Sequence, residues 1–349
     1  MKRKIMASTP PRCDRPSPII SRSAAFRSKA EPAMLNGQKI LVTGVGGAVA
    51  TPLAAFLARN NEVWGAARFG DPSRREKVEA AGIRAVAIDL AGDDLSTLPT
   101  DFTHVLHLAW IRCTPGDFAM AARVNSQAAG RVIQHCRSAC GILITSSTGV
   151  YSPHPDPYFR YREDHYLGRG CTDEFLAANA TVRLYNPTSS AAKIATEAVA
   201  RFAARSLDVP LTIARLNSVY GTADMFPARY IKEVLAGQTI IFPNDPCPHT
   251  PVHIDDMCAH VAPLLAAASV DATTVNWCGD EVVDYQDYAR LAAQWAGVAA
   301  KLDVLPLPGY PPGNVSDNSL RLSLTGPCRQ PFRTAYRTMY DAVAARGSA

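Results

Sequence analysis

Long hydrophobic runs and a strong net charge are both missing from this chain of 349 residues. No uninterrupted apolar stretch approaches the roughly 18 residues of a membrane-spanning helix, so we expect no membrane partner. The net charge of +5 is concentrated in residues 1–33, where eight basic residues accompany two acidic ones and leave about −1 for the rest. Because a neutral body cannot neutralise phosphates, we expect no nucleic-acid partner either.

Signatures of metal, disulfide and hydrolase chemistry are also absent. The nine cysteines are odd in number and form no Cys-x-x-Cys pair, so we expect neither a metal site nor a disulfide framework. Reduced, buried thiols are typical of a cytoplasmic protein, which is the location that we predict. The Gly-x-Ser-x-Gly elbow of many serine hydrolases does not occur.

Residues 1–35 differ in composition from the rest of the chain. Hydrophobic residues make up 47% of the whole sequence, which is enough for a substantial core, but this segment is rich in Pro, Ser and Arg. We expect a disordered basic tail without a catalytic role. An organelle transit peptide and a natural start at Met34 are the alternative interpretations.

A glycine-rich turn follows the first predicted strand, Lys39–Thr43. A helix from about Thr51 to Arg59 and a second strand at 62–67 come next, and this order is that of a dinucleotide-binding βαβ unit. In such a unit the first glycine permits the tight turn, the second lets the backbone approach a pyrophosphate, and a small third residue allows close packing. We therefore expect the turn to bind the cofactor through Gly44, Gly46, Gly47, Ala48 and Val49.

The end of the second strand bears on the choice between NAD and NADP. NAD-binding proteins carry a carboxylate there for the ribose 2′-hydroxyl, but this chain has Arg68, with Arg74 and Arg75 soon after. A guanidinium can pair with the 2′-phosphate of NADP in bidentate fashion. The sequence therefore favours NADP, with NAD as the less favoured cofactor.

From about residue 38 to 285, six ordered motifs resemble the extended short-chain dehydrogenase/reductase family. They are Thr43-Gly-x-x-Gly-x-x-Ala50, Asp89-Leu90, His107-Leu-Ala-Trp110 with Asn125 beyond it, 143–151 with Ser147, Arg215–Gly221, and Pro251–Asp256. The resemblance implies an α/β fold, a doubly wound parallel-sheet Rossmann domain at 36–221 that is completed by about 251–282. A smaller C-terminal substrate-binding part would then comprise 222–250 and 283–349. The family usually has a second alanine where this chain has Trp110.

The resemblance also implies roles for individual residues. Ser147 would hold the substrate oxygen, and Lys193 would hold the nicotinamide ribose and supply an electrostatic field. Asn125 would belong to the same catalytic set. Further cofactor contacts are implied at Asp89, Leu90, Leu108, Ala109, Asn217 and Val219.

One catalytic position departs from the family pattern. The residue four before Lys193 is Ser189 and not tyrosine, although that spacing places both side chains on one helix face. A serine hydroxyl is a far weaker acid than a phenol of pKa about 10. Three explanations stay open: a tyrosine of the insert 152–188 (Tyr161, Tyr166 or Tyr185), a serine–water relay through Ser189, or a different chemistry.

These features predict an NADP-dependent oxidoreductase that acts on a carbonyl or secondary alcohol of a small metabolite. An epimerase, lyase or cyclase that uses bound NAD(P) without net redox is the first alternative, and a non-catalytic NADP-sensing protein is the second. His249 stands where nucleotide-sugar members usually carry an arginine, which disfavours such a substrate, although Arg229 and Lys232 could compensate. A homodimer is expected by analogy alone.

Overall fold

A sheet of seven parallel strands forms the centre of the computed structural model, which describes residues 34–170, 187–307 and 310–347. The strands are β1 (Lys39–Thr43), β2 (Glu62–Ala67), β3 (Arg84–Ala87), β4 (His104–His107), β5 (Gly141–Ser147), β6 (Leu211–Leu216) and β7 (Thr273–Trp277). Their order in the sheet is β7-β6-β5-β4-β1-β2-β3. The order reverses between β1 and β4, and such a switch point opens a crevice at the carboxyl ends of the strands.

Helices and short strand pairs connect and extend this sheet. The helices are α1 (Ala50–Ala58), α2 (Pro72–Ala80), α3 (Phe118–His135), α4 (Pro187–Leu207), α5 (Ala228–Leu235), α6 (Ile254–Ala266), α7 (Tyr285–Ala296), α8 (Ser319–Thr325) and α9 (Phe332–Gly347). Short strands pair Val219–Tyr220 with Val252–His253, Ile240–Phe242 with Leu302–Val304, Pro248–His249 with Val283–Asp284, and Arg160–Tyr161 with Val315–Ser316. Among these described residues, no helix is both long and apolar enough to cross a membrane.

Alternation along β1 shows that helices cover both faces of the sheet. Ile40 joins the hydrophobic cluster that contains Leu53 of α1 and Leu264 of α6, whereas Leu41 joins the cluster that contains Val132 of α3 and Ala204 of α4. Successive side chains of a strand point to opposite faces, so the two helix pairs lie on opposite sides. The doubly wound α/β fold that the sequence predicts is therefore confirmed.

Residues from the predicted substrate-binding part add an aromatic extension to one of these clusters. The ring of Tyr230 on α5 stacks on Phe242 at 5.7 Å and on Tyr288 of α7 at 5.8 Å. Tyr336 of α9 meets Tyr288 edge to face at 4.8 Å. The described residues from Met34 onward form one compact unit, and the limits of a separate substrate-binding part stay a prediction.

A buried ion pair joins α4 to the sheet. Arg215 of β6 donates to both carboxylate oxygens of Glu197 at 3.0 and 2.9 Å, and the two side chains are 3% and 4% exposed. Arg215 also donates to the Tyr151 hydroxyl at 3.2 Å and to the Glu163 carbonyl at 2.9 Å. The guanidinium thus fixes α4, and with it Lys193, against the strands that carry the crevice.

Loss of one partner should leave an uncompensated buried charge. We expect Glu197→Gln to lower the free energy of unfolding by about 3 kcal/mol or more, measured by urea denaturation. The exposed pair between Arg337 and Asp341 provides the control, because Asp341→Asn should change stability by no more than about 0.5 kcal/mol. Equal effects of the two substitutions would contradict the structural role assigned to Glu197.

Candidate active site

Two clefts meet at the carboxyl edge of the sheet, and Trp110 belongs to the wall of both. The first, which we call the dinucleotide cleft, is lined by residues 44–47, 66–71, Arg74, 88–91, 109–111, 124–125 and Ala128. The second, which we call the Lys193 pocket, is lined by Ala48, Val49, Trp110, Arg112, 146–147, Gly149, 189–190, Lys193, 216–219 and 224–226. The predicted cofactor turn and the predicted catalytic residues therefore face connected spaces.

The glycine turn forms a cradle that only a residue without a side chain permits. Gly44 has φ +81°, and a Cβ there would lie 2.8 Å from the backbone nitrogen of Ala109. Val49 occupies the N-cap of α1 and provides no side-chain hydrogen bond to the helix. Because the first N–H groups of an uncapped helix favour an anion, the cradle fits a pyrophosphate.

Thr43 and His107 hold the two strands on either side of the crevice. The Thr43 hydroxyl lies 2.9 Å from Nδ1 of His107 and accepts a hydrogen bond from the Ala109 backbone N–H at 3.1 Å. Burial lowers the pKa of His107 to about 3, helped by the charge of Lys193, so the imidazole is neutral. These contacts fix the loop after β4 close to the glycine turn.

The arginines proposed to select the cofactor lie at the expected edge of the dinucleotide cleft. Arg68 is exposed directly after β2, and Arg74 on α2 lies 3.6 Å from the carboxylate of Asp71. Asp89 and Leu90 also line this cleft. Leu108 does not belong to its lining, because the side chain packs against the core and only the backbone approaches Gly44.

Lys193 is a partly buried ammonium that lines this pocket. Its Nζ donates to the Thr145 carbonyl at 2.8 Å and lies 3.8 Å from the centre of the Trp110 ring. Burial lowers the pKa of Lys193 to about 7, although the charge of Glu197 opposes this change. The ammonium therefore gains and loses its proton near neutral pH.

Two predicted hydroxyl groups share the pocket with Lys193. Ser147 ends β5, and its Oγ accepts a hydrogen bond from the Gly149 N–H at 3.0 Å, which starts a short 3₁₀ turn. Ser189 lies one helical turn before Lys193 on α4, with its Oγ 3.3 Å from the Cys113 Sγ. The structure thus brings together Ser147, Ser189 and Lys193, as the sequence predicts.

Asn125, which the resemblance places in the catalytic set, bonds to backbone groups in this structure. Its side-chain oxygen accepts from the Ile111 N–H at 2.8 Å, and its amide nitrogen donates to the Ala121 carbonyl at 2.9 Å. These bonds hold the loop after β4 against α3. Although Asn125 lines the dinucleotide cleft, its amide is occupied by backbone groups.

The segment after β6 lies at the Lys193 pocket. Asn217 and Val219, expected to contact the cofactor, line the Lys193 pocket and not the dinucleotide cleft. The Asn217 amide nitrogen donates to the Asn314 carbonyl at 2.9 Å and to Ser316 Oγ at 3.1 Å. Asn217 therefore fastens a distant C-terminal segment beside the pocket.

The tyrosines of the insert do not supply the missing phenol within the described residues. Tyr161 is buried in a separate cavity, stacks on Tyr151 at 5.0 Å and accepts the His154 N–H at its hydroxyl at 2.8 Å. Tyr166 is 90% exposed, and Tyr185 lies outside the described residues. The lining of the Lys193 pocket, as far as the structure describes it, contains no tyrosine, so Tyr161 is not supported as the proton donor.

Sequence reasoning left Arg112 without a role. Arg112 lines the Lys193 pocket together with Phe226, and only its position after β4 could have indicated this. His249 is fully buried, stacks on Tyr285 at 3.9 Å and lies 3.1 Å from the Tyr288 hydroxyl. Burial lowers its pKa to about 3, so no cation replaces the expected arginine at this position.

Metal chemistry has no evident centre in this region. Among residues 34–170, 187–307 and 310–347, no group of three or more His, Cys, Asp or Glu side chains could hold a metal ion.

Comparison with known proteins gives related sequences and folds. The chain is 30% identical over 241 residues to UDP-glucuronate 4-epimerase 2 of Arabidopsis thaliana, which covers 61% of this chain and 50% of that protein. The chain thus spans about half the length of that curated relative. UDP-glucuronic acid 4-epimerase from Bacillus cereus, solved with UDP-glucuronic acid and NAD, has a similar fold at a TM-score of 0.73 and 21% identity, over 88% of this chain and 99% of the other.

A second solved structure supports the same fold. UDP-N-acetylglucosamine 4-epimerase from Methanobrevibacter ruminantium aligns at a TM-score of 0.74 and 15% identity, over 89% of this chain and 100% of the other. The model of the NAD dependent epimerase/dehydratase family matches residues 40–276, from β1 to β7. Together with the glycine cradle and the Ser147 strand end, this match shows that the chain belongs to the NAD dependent epimerase/dehydratase family.

Proposed function

We propose that the protein is an epimerase- or dehydratase-type enzyme that acts on a secondary alcohol of a sugar-like substrate without net redox change. The observation that carries this proposal is the shared pocket of Ser147, Ser189 and Lys193, which meets the glycine cradle at Trp110. Family membership and the epimerase named as its relative support the redox-neutral reaction over a simple dehydrogenase. The nicotinamide of a bound dinucleotide would supply the hydride acceptor and donor.

Each residue of the pocket has a distinct part in this proposal. The Ser147 hydroxyl donates a hydrogen bond to the substrate oxygen, and the Lys193 ammonium binds ribose hydroxyls and stabilises negative charge nearby. Ser189 receives the proton of the substrate hydroxyl and passes it to a water, then returns it in the reverse step. This route replaces the tyrosine, which the described part of the pocket does not contain.

The substrate class follows from the relatives and from one difference. The relatives are named for UDP-sugars, and the lining of this pocket carries two cationic groups, Arg112 and Lys193, against one carboxylate, Asp224, which favours an acidic sugar. His249, however, is buried in an aromatic stack, and Arg229 is paired with Glu233 at 2.6 Å. We therefore propose an acidic sugar or its nucleotide derivative, bound without the usual arginine at position 249.

Partners and location remain proposals from the sequence. We retain a small-molecule substrate, a homodimer and a cytoplasmic location, with neither nucleic acid nor membrane as a partner.

Activity should depend on the serines of the pocket. With UDP-glucuronic acid and UDP-galacturonic acid as probes, we expect interconversion by chromatography and no net change in absorbance at the nicotinamide band. Ser147→Ala and Ser189→Ala should each lower kcat by about 100-fold, the usual cost of removing an acid–base or oxyanion group. Ser323→Ala, on an exposed serine of α8, is the control and should have no effect.

The same assay separates the alternatives. Full activity of Ser189→Ala, together with loss of activity in Tyr185→Phe, would identify Tyr185 of the insert as the group that transfers the proton. Ser189 would then have no part in the proposed mechanism. Stoichiometric oxidation of NADPH would contradict the redox-neutral reaction.

A net oxidoreductase is the second candidate, and the arginines of the dinucleotide cleft favour it. A 2′-phosphate would be balanced by Arg68 and Arg74, and NADPH is the usual reductant of biosynthesis. We expect Arg68→Ala to weaken NADP binding about tenfold, measured by calorimetry, and to leave NAD binding nearly unchanged. Arg75→Ala is the matched control, since Arg75 pairs with Glu79 at 2.9 Å outside the cleft lining. An equal loss of affinity for NADP and NAD in Arg68→Ala would contradict recognition of the 2′-phosphate by Arg68.

Cofactor binding itself should require the cradle. Gly44→Ala would place a methyl group against the Ala109 backbone, so we expect at least a tenfold loss of NAD(P) affinity. Gly82→Ala is a matched control, because Gly82 has φ +77° and nothing within 4 Å of its added Cβ. Backbone strain should destabilise both variants by about 1 kcal/mol, the clash with Ala109 should destabilise Gly44→Ala further, and only Gly44→Ala should impair binding. Unchanged binding by Gly44→Ala would argue against the cradle.

A further inference from the structure

Trp110 occupies the junction between the dinucleotide cleft and the Lys193 pocket. It is half-buried and follows Ala109, whose backbone packs against the glycine turn. The indole belongs to a small cluster with Cys113, Ala121 and Ala192 and is not part of either main core. The position of Trp110 therefore associates the indole with the two clefts and not with the packing of the sheet.

The contacts of Lys193 show why this indole matters. An ammonium has three N–H groups, and one of them donates to the Thr145 carbonyl at 2.8 Å. The Trp110 ring, 3.8 Å away, covers another side with its electron-rich face. Tryptophan is the side chain that attracts cations most strongly through its ring, above all where water is excluded.

The charged groups around Lys193 do not replace the indole. Glu197 lies one turn later on α4, but both of its oxygens are engaged by Arg215 of β6. His107 of β4 is buried and neutral, and burial together with the charge of Lys193 lowers its pKa. At the rim of the pocket, Arg112 after β4 is exposed, and Asp224 after β6 is 79% exposed and lies 3.8 Å from Arg346.

We propose that Trp110 is a positioning residue for Lys193: its ring keeps the ammonium charged and directed along β5, so that ribose hydroxyls can take the remaining N–H groups. The inference rests on the proposed function, because the ribose contact requires a bound dinucleotide. It also explains how a partly buried cation is tolerated where, among the described residues, the carboxylate of Glu197 is engaged by Arg215.

The direction of the pH effect follows from the chemistry. Burial already lowers the pKa of Lys193 to about 7, so the charged form is lost as pH rises through that value. Replacing Trp110 by leucine removes the ring but keeps an apolar side chain, which disfavours the charged form further. We expect Trp110→Leu to move the Lys193 midpoint down by about one pH unit, whereas Trp110→Phe retains most of the effect.

Two measurements test this on the full chain. In protein labelled with ¹³C at lysine Cε, the signal that disappears in Lys193→Arg identifies Lys193 among the eight lysines, and its titration gives the midpoint in each variant. Calorimetry then gives NAD(P) affinity against pH. In wild type we expect NAD(P) affinity to fall as the pH rises above the Lys193 midpoint. In Trp110→Leu the fall should begin at lower pH. In Lys193→Arg the affinity should not fall at any pH below 9.

Binding of ADP distinguishes the role of Trp110 from the proposed function on which it rests. ADP reaches the cradle without a nicotinamide ribose, so the loss of ADP affinity in Trp110→Leu, whose indole also lines the dinucleotide cleft, should be smaller than the loss of NAD(P) affinity and should not follow the Lys193 midpoint. An unchanged Lys193 midpoint in Trp110→Leu, with NAD(P) still bound by wild type, would overturn the role of Trp110 alone. Failure of wild type to bind either NAD or NADP would instead overturn the proposed function.

Discussion

The close approach of the Gly44 turn to the backbone of Ala109 is the constraint on which the crevice depends. β1 and β4 are neighbours at the switch point, and their ends come together only because no Cβ stands between them. Thr43 and His107 fix the same contact with buried hydrogen bonds. Since Trp110 directly follows Ala109, the peptide that closes the cradle also places the indole over Lys193.

Even partial burial of an ammonium is costly, and the surroundings of Lys193 show how the fold accommodates it. Its nearest acid on α4, Glu197, compensates Arg215, which in turn fixes the helix to the sheet. Lys193 is left with a carbonyl and an aromatic ring. Arg215 therefore has a structural role, whereas the pKa of Lys193 lies near 7. Such a pKa suits a group that must exchange hydrogen-bond partners when a ligand binds.

The sequence predicted the parts of the molecule that depend on local pattern. The β1 run, the glycine turn and the lysine helix have local signatures, and Ser147 and Lys193 meet as expected. The hydrogen-bond partners of Asn125 and Asn217, which are the Ile111 backbone and Asn314, could not be predicted because spacing does not reveal them. Tyr161 points to another cavity for the same reason, since the path of the insert depends on contacts with Tyr151 and His154.

Replacement of tyrosine by Ser189 changes how the proton must move. A phenol beside an ammonium can itself become charged, whereas a serine hydroxyl is too weak an acid to do so and can only pass a proton on in a concerted step. In the mechanism that we propose, negative charge then develops on the substrate oxygen, where the Ser147 hydroxyl and the field of Lys193 stabilise it. Because that field exists only while the ammonium keeps its proton, we expect catalysis in this pocket to depend on the charge of Lys193 more directly than it would with a tyrosine.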